Sequence, residues 1–257
     1  MTTRRALVTG GAGFIGSHLA DALLADGWAV TVLDDLSSGH RDAVLTGDFV
    51  QGDMADAELL RSLFAGRRFD AVMHFASFIE VGESVREPAK YYRNNVANTL
   101  ALLAAMREAG VDRFIFSSTA AIFGTPQYVP IDERHPRAPI NPYGRTKNMV
   151  EDVLSDYERA YGLRSVCLRY FNAAGADPEG KLGERHDPES HLIPLALQAA
   201  SGRRAGLSVY GTDYDTPDGT CIRDYVHVSD LCEAHWLALE SLRDGASSQA
   251  YNLGNGN

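Results

Sequence analysis

Thr9-Gly10-Gly11-Ala12-Gly13-Phe14-Ile15-Gly16 follows the apolar run Ala6–Thr9 and leads into the periodic stretch Ser17–Asp26. A strand, a glycine turn and a helix in that order form the crossover unit that binds dinucleotides. Gly11, Gly13 and Gly16 fit G-x-G-x-x-G, and Gly10, Gly13 and Gly16 fit its wider-spaced variant. Glycine permits the tight turn and close backbone approach. The helix start offers unpaired N–H groups and a positive dipole end to a pyrophosphate. Asp34 ends the next apolar run, where a carboxylate accepts hydrogen bonds from the adenosine ribose and repels a 2′-phosphate. That favours NAD over NADP, and Asp35 adds to the negative charge. Asp53 follows the third run, at the place where such sheets meet an adenine edge.

Working outward, short apolar runs alternate with helical periodicity: Ala6–Thr9, Ala29–Leu33, Phe49–Gln51, Ala71–Phe75, Phe114–Ser117 and Ser165–Arg169. Runs apolar on both faces suit parallel strands covered by helices on each side. Ser17–Asp26 carries Leu19, Ala22, Leu23 and Leu24 before Gly27, and Asn94–Ala109 carries Val96, Leu100, Leu103 and Met106 before Gly110. Spacings of three and four ending in glycine mark helices and their stops. The expected fold is α/β, a doubly wound parallel sheet of the Rossmann type over residues 1–171. A smaller, incomplete C-terminal substrate region is expected over 172–257. There Ala173–Arg185 reads as loop, His191–Ser201 as helix, Leu207–Tyr210 as a short strand and Asp213–Gly219 as a polar turn. Ser229 is the expected N-cap of a helix over Leu231–Leu242, which packs back on the first domain. The stretch Tyr251–Asn257 reads as a strand running into a turn.

Composition sets limits. The 257 residues are 45% hydrophobic and 23% charged, with a formal net charge of −10 and no basic block, which argues against nucleic-acid binding. Cys167, Cys221 and Cys232 form no C-x-x-C pair and read as reduced packing residues of a cytoplasmic protein. Met1–Gly16 lacks a signal-peptide pattern, and no charge-free apolar stretch approaches the roughly 18 residues of a membrane span.

Tyr143-Gly144-Arg145-Thr146-Lys147 carries the chemistry. On a helix Tyr143 and Lys147 share one face, with Met149, Val150, Val153, Leu154 and Tyr157 expected to form the buried stripe. A phenol needs its pKa lowered from about 10 to act as a base near neutral pH, and a nearby ammonium lowers it. Ser117-Ser118-Thr119, ending the fifth strand, adds hydroxyls that can bond a substrate oxygen and relay a proton.

With these residues in view, the chain resembles the extended short-chain dehydrogenase/reductase superfamily and, within it, the UDP-glucose 4-epimerases. The resemblance covers essentially the whole chain. It is carried by TGGAGFIGSH at 9–18, HFASFIEVGESV at 74–85, YYRNNV at 91–96, NPYGRTK at 141–147, LRYFNAAGADPEG at 168–180 and GTCIRDYVHVSDL at 219–231. It implies interconversion of UDP-glucose and UDP-galactose through a transient 4-keto sugar, with NAD tightly bound. Tyr143 would be the base, Lys147 would lower its pKa and hold the nicotinamide ribose, and Thr119 would fill the Ser/Thr position. Gly10, Gly13, Phe14, Ile15, Gly16, Asp34, Asp35, Leu36, Ser37, Ser38, Gly39, Asp53, Met54, Phe75, Ala76, Ser77, Phe78, Ile79 and Asn94 would line the NAD site. Thr119, Tyr143 and Lys147 would also border it, with Phe171 beside the nicotinamide. Asn172, His191, Leu192, Ser208, Tyr210 and Arg223 would meet the UDP-sugar, Arg223 pairing with the diphosphate.

Two positions depart from the pattern. Many bacterial members have Lys at Ile79, and Asn is frequent at His191. The resemblance further implies a homodimer through helices over Asn94–Ala109 and Tyr143–Tyr161. Family members also continue past Tyr251–Gly254 with a further diphosphate-contacting Arg and the residue that gates sugar size. The 257 residues are therefore expected to be a fragment that binds NAD and turns over UDP-sugar poorly, with sugar preference undefined. The rival readings are a 4-epimerase of UDP-xylose/UDP-arabinose or UDP-N-acetylhexosamine, and a non-catalytic NAD-binding protein. A 4,6-dehydratase is disfavoured, because Ala120-Ala121 stands where acidic residues would follow the fifth strand.

Glu184-Arg185-His186-Asp187-Pro188-Glu189-Ser190-His191 gathers metal-ligating side chains but reads as a solvated loop, and no metal is expected. His74, ending a strand, reads as a satisfied buried histidine, and Trp236 as core or interface.

Overall fold

The computed structural model describes residues 3–45 and 47–256. Met1 and Asn257, the outer ends of two stretches considered above, lie outside the described residues. Seven parallel strands form the main sheet in the order β3-β2-β1-β4-β5-β6-β9. The first half supplies β1 (Arg5–Thr9), α1 (Phe14–Ala25), β2 (Ala29–Asp34), β3 (Asp48–Gln51), α2 (Ala57–Gly66) and β4 (Ala71–His74). Then come α3 (Val81–Arg86), α4 (Pro88–Tyr91), a π-helical turn over Tyr92–Asn98, α5 (Thr99–Glu108), β5 (Arg113–Thr119), α6 (Pro142–Tyr161) and β6 (Arg164–Tyr170). The remainder is β7 (Asn172–Ala174), α7 (Leu192–Ala200), β8 (Tyr225–His227), α8 (Val228–Arg243) and β9 (Gln249–Leu253).

Alternation along each strand builds two cores. Ala6, Val8, Val30, Val32, Met73, Ile115 and Leu168 point to one face, which α1 and α8 cover with Leu19, Leu23, Leu239 and Leu242. Leu7, Leu33, Val72, Phe114 and Phe116 point to the other, covered from α2, α5 and α6 by Leu60, Leu63, Leu103, Met106, Val150 and Leu154. Two sites of the expected stripes face outward instead: Leu100 is 37% exposed and Met149 44%.

Past residue 171 the chain returns to the main sheet. Helix α8 packs on α1 and the sheet, and β9 pairs with β6 from Val166↔Gln249 to Tyr170↔Leu253. The cap of α8 is His227, whose Nδ1 accepts from the Ser229 N–H at 3.2 Å, so the expected cap at Ser229 is displaced by two residues. Within Ala173–Arg185, expected to be loop, β7 pairs with β8 and Ala176 bridges Gly183. The strand expected over Leu207–Tyr210 does not form: the segment is exposed coil with no pairing partner among the described residues, and Tyr210 is 95% exposed. Cys167 and Cys232 are buried, but Cys221 is exposed and does not pack.

Helix α6 is defined by local chemistry at both ends. Asn141 accepts from the Gly144 N–H at 2.8 Å, Pro142 occupies the first turn, and Gly162 closes the helix at φ 72°. Asn141→Ala is expected to lower stability by about 1 kcal/mol, read as a lower urea midpoint. An unchanged midpoint would show that the cap does not hold α6.

Candidate functional site

Four strand ends converge where the site residues cluster. At the end of β1, Gly10 has φ 73°, and a Cβ there would lie 2.5 Å from the Ala76 nitrogen. A Cβ on Gly16 would lie 2.3 Å from the Gly10 carbonyl oxygen. Those two glycines are required by the protein's own packing. Gly13 differs. Its backbone is extended at φ −81° and a Cβ would meet nothing nearer than 3.4 Å, so the protein itself leaves the space in front of it unfilled. Gly13 also caps α1 without any side chain. An uncapped helix start beside an unfilled cradle fits a bound pyrophosphate.

Asp34, at the end of β2, faces this turn. Its carboxylate accepts from the Ala12 N–H at 2.9 Å and the Leu36 N–H at 2.8 Å. Burial raises its pKa, opposed by these two bonds. Leu36 sits at φ 63°, turning 34–40 back over the glycines. Asp35 accepts from the Ser37 N–H at 2.8 Å, the His40 N–H donates to the Ala12 carbonyl at 2.9 Å, and Gly39 lies against Ala12. Ser38 and Phe14 share a small cleft there with Gly13. Ile15 packs at the edge of the α1 core. Asp53 accepts from the Ala55 N–H at 2.8 Å and is exposed, while Met54 is buried in the core cluster that includes Leu33, Leu60 and Leu63.

The cluster expected to be catalytic joins β4, β5 and α6. Lys147 is 1% exposed, and its Nζ donates to the Ser117 carbonyl at 2.8 Å and to Ser77 Oγ at 3.0 Å. The ammonium also lies 4.9 Å from the Phe116 ring centre. Burial lowers its pKa to about 7, with the Glu151 charge opposing. Tyr143, one turn before Lys147 on α6, lies beside Thr119 at the end of β5. Burial raises the Tyr143 pKa and the neighbouring Thr119 hydroxyl opposes it, so in the unliganded protein the phenol is not lowered as the sequence leads one to expect. Phe75 and Ala76 follow β4 directly: the Phe75 N–H donates to the Thr9 carbonyl at 2.8 Å, and Ala76 lies against Gly10. His74 is fully buried between the Thr9 and Thr99 hydroxyls at 2.7 and 2.9 Å, as a satisfied histidine should be, and burial lowers its pKa to about 3.

Several contributing residues escape a reading of sequence. Asn95 is 1% exposed, accepts from the Phe78 N–H at 2.9 Å, and donates to the Phe78 carbonyl at 3.0 Å and to Thr146 Oγ1 at 3.2 Å. It fixes Phe78 to α6, while the expected Asn94 donates to Asn95 at 3.0 Å. A π-helical turn at this place, a form common at functional sites, leaves no periodic signal. Glu151 is four residues past Lys147 on the same face of α6. It accepts from Ser118 Oγ at 2.5 Å and takes a two-pronged bond from Arg169, Nη2 to Oε2 at 2.6 Å and Nε to Oε1 at 3.0 Å. The repeat of four from Tyr143 through Lys147 to Glu151 is the signal that was available.

The expected substrate residues are less gathered. Asn172 donates to the Asp224 carbonyl at 2.9 Å, which places it beside Arg223. Arg223 is exposed and donates to the Ile222 carbonyl at 2.9 Å. His191 and Leu192 open α7, and Ser190 Oγ donates to Glu80, next to the exposed Ile79, at 2.9 Å. Ser208 and Tyr210 lie on exposed coil, and Phe171 sits against Gly254. A cavity of about 450 Å³ lies between β8, the start of α8 and Asn252–Asn255, lined by none of the expected substrate residues.

A family model described as "NAD dependent epimerase/dehydratase family" matches residues 6–254. The chain is 55% identical over 256 residues to a UDP-glucose 4-epimerase of Rhizobium meliloti (strain 1021), covering 100% of this chain and 78% of that one. The fold is similar to that of a Brucella ovis UDP-glucose 4-epimerase solved with NAD, with TM-score 0.97 and 55% identity over 99% of this chain and 78% of that one. A Bifidobacterium longum UDP-glucose 4-epimerase solved with NAD⁺ and UDP is similar at TM-score 0.92 and 39% identity, over 98% of this chain and 78% of that one.

The buried ammonium makes a pH prediction. Lys147 has a pKa of about 7 in the folded protein against an ordinary 10.5. Between those values the unfolded chain holds a proton that the folded chain has released. This site's contribution to stability is therefore lowest below about pH 7 and rises toward pH 10.5. In the unliganded protein, Lys147→Met should remove that rise, measured as urea midpoints at about pH 7 and about pH 9.5. Parallel pH dependence in wild type and variant would show that Lys147 keeps an ordinary pKa.

Proposed function

The chain belongs to the NAD dependent epimerase/dehydratase family, and from that premise we propose that it interconverts UDP-glucose and UDP-galactose by inverting C4, with NAD as cofactor. The observation that carries the reading is a buried Lys147, tied to the Ser117 carbonyl and the Ser77 hydroxyl, one helical turn from Tyr143 on α6. Family membership alone leaves the reaction open; the likeness to UDP-glucose 4-epimerases, over the whole of this chain and 78% of their length, narrows it to this sugar pair.

Gly10, Gly13 and Gly16 would cradle the NAD pyrophosphate, Asp34 the adenosine ribose, and Lys147 the nicotinamide ribose. When bound, NAD supplies the reversible acceptor for the hydride at C4. Tyr143 takes the proton of the sugar 4-hydroxyl and later returns one, with Thr119 bonded to the same oxygen centre. Lys147 is fixed by Ser117 and Ser77, and its charge when protonated would disfavour a second proton nearby. Asn172 and Arg223 would hold the UDP part, with Leu192, Ser208 and Tyr210 contributing once drawn inward. Binding energy from that remote group retains the ketone while the sugar turns over.

We read residues 1–171 as the NAD-binding part and 172–257 as the UDP-sugar part, the latter contributing α8 and β9 to the shared sheet. The exposed apolar side chains Leu100, Met149 and Tyr161 on α5 and α6 support a homodimer through those helices. Three unpaired cysteines suit a cytoplasmic enzyme of galactose metabolism. Among the described residues no helix is long and apolar enough to cross a membrane.

Incubating the protein with UDP-glucose or UDP-galactose and resolving the products should show each forming from the other. Product from UDP-N-acetylglucosamine or UDP-xylose alone would overturn the substrate assignment. Tyr143→Phe should retain NAD binding and lose at least about 100-fold in kcat; near-normal turnover would remove Tyr143 from its role. Asp34→Ala should weaken NAD more than NADP in a fluorescence titration, and an unaltered preference would displace Asp34 from the ribose.

A further inference from the structure

The loop that leads into α7 carries Glu184, His186, Glu189 and His191, and one ligand atom from each lies within 4.8 Å of the other three. The stretch reads in sequence as solvated, but both glutamate side chains are withdrawn from solvent, at 8% and 7% exposure. His191 Nδ1 is 2.8 Å from Glu184 Oε1 and 3.1 Å from Glu189 Oε1, and His186 Nδ1 is 3.2 Å from Glu184 Oε1. The last contact is not a hydrogen bond: His186 Nδ1 is buried and unpartnered. The donors are also held in advance. Glu189 Oε1 accepts from the Ser190 and His191 N–H groups, both at 2.8 Å. His40 bonds the Arg185 carbonyl at 2.7 Å, and Arg185 makes a two-pronged pair with Asp42 at 2.7 and 3.0 Å. The loop is thereby pinned to the segment after β2.

We propose that Glu184, His186, Glu189 and His191 bind a divalent transition-metal ion, with zinc as the reference case, and that the ion staples this loop. Zinc takes imidazole nitrogen and carboxylate oxygen at about 2.0–2.2 Å in a tetrahedron, which places ligand atoms about 3.3 Å apart. Three of the pairs already stand near that separation, so occupation needs only small rotations of the four side chains. Two carboxylates with two neutral imidazoles balance a doubly charged ion. Two imidazoles select against magnesium and calcium, which favour all-oxygen shells. The four ligands saturate a tetrahedral ion, so the role is structural and independent of the sugar that the enzyme accepts. His191 is then a metal ligand rather than a donor to the nucleotide sugar.

The full chain, free of any affinity tag, is stripped with a chelator, checked by circular dichroism and titrated with zinc against a chromophoric competitor. About one zinc per chain and a rise in Tm are expected. Cobalt(II) should give visible d–d bands without the near-ultraviolet thiolate charge-transfer band that binding at Cys221 would produce. Glu184→Gln and His186→Ala should each weaken zinc by about 100-fold or more, since outer-shell losses alone cost 10–100-fold. NAD titration and circular dichroism of the same samples report whether each variant remains folded. Sub-stoichiometric zinc in the wild type, a thiolate band, or unweakened binding by both folded variants would overturn the site. Loss of epimerase activity with the zinc results intact would bear on the proposed function only.

Discussion

A lysine ammonium with almost no access to water is the constraint around which the rest of this structure is arranged. Lys147 is tolerated in the interior because the Ser117 carbonyl and Ser77 hydroxyl meet two of its three N–H groups and Phe116 offers a ring face. Those partners come from the ends of β4 and β5, two central strands of the sheet. Parallel pairing aligns their C-terminal ends, which is why a single side chain from α6 reaches both. The same alignment brings Gly10 from β1 and Asp34 from β2 to that edge.

The ammonium is steadied from below by a second buried charge. Glu151 lies one turn further along α6, with Arg169 from β6 and Ser118 from β5 bonded to its carboxylate. A buried ion pair adds little net stability, because desolvation offsets most of its attraction. It does define register: sliding α6 along the sheet would strand a carboxylate and a guanidinium out of water together. Tyr143, Lys147 and Glu151 thus share a face, and the turns that carry Lys147 and Glu151 are each tied to strands by hydrogen bonds. Glu151 is a positioning residue in this sense, and its charge also opposes the fall in the Lys147 pKa.

Much of this was legible in sequence. The apolar runs beginning at Ala6, Ala29 and Ala71 announce themselves because burial on both faces leaves them uninterrupted, and the glycines at 27 and 110 mark helix ends, where each takes a positive φ. The glycine turn and the Tyr143–Lys147 pair were legible for the same local reasons. Contacts between distant segments were not. Asn95 holding Phe78, Glu151 meeting Arg169, and β9 joining β6 depend on how elements pack, and no spacing along the chain encodes them. Leu207–Tyr210 failed for the converse reason. Local β-propensity without a neighbouring strand leaves backbone groups to water, and the segment stays coil.

Leu100 and Met149 show how a periodic pattern overstates burial. Leu100 stands three residues before the fully buried Leu103, and Met149 four before the partly buried Val153, yet both lie on solvent-facing flanks of α5 and α6. Because α5 and α6 cover the same face of the sheet, an apolar residue turned outward on each is not accounted for by the core beneath. The two helices therefore serve two surfaces at once. Their inner faces fix Lys147 and Glu151 against the strands, and any surface that docks on their outer faces bears on the same helix that carries Tyr143. Tyr143 and Lys147 on the inner side and Met149 on the outer side thus belong to a single element, α6.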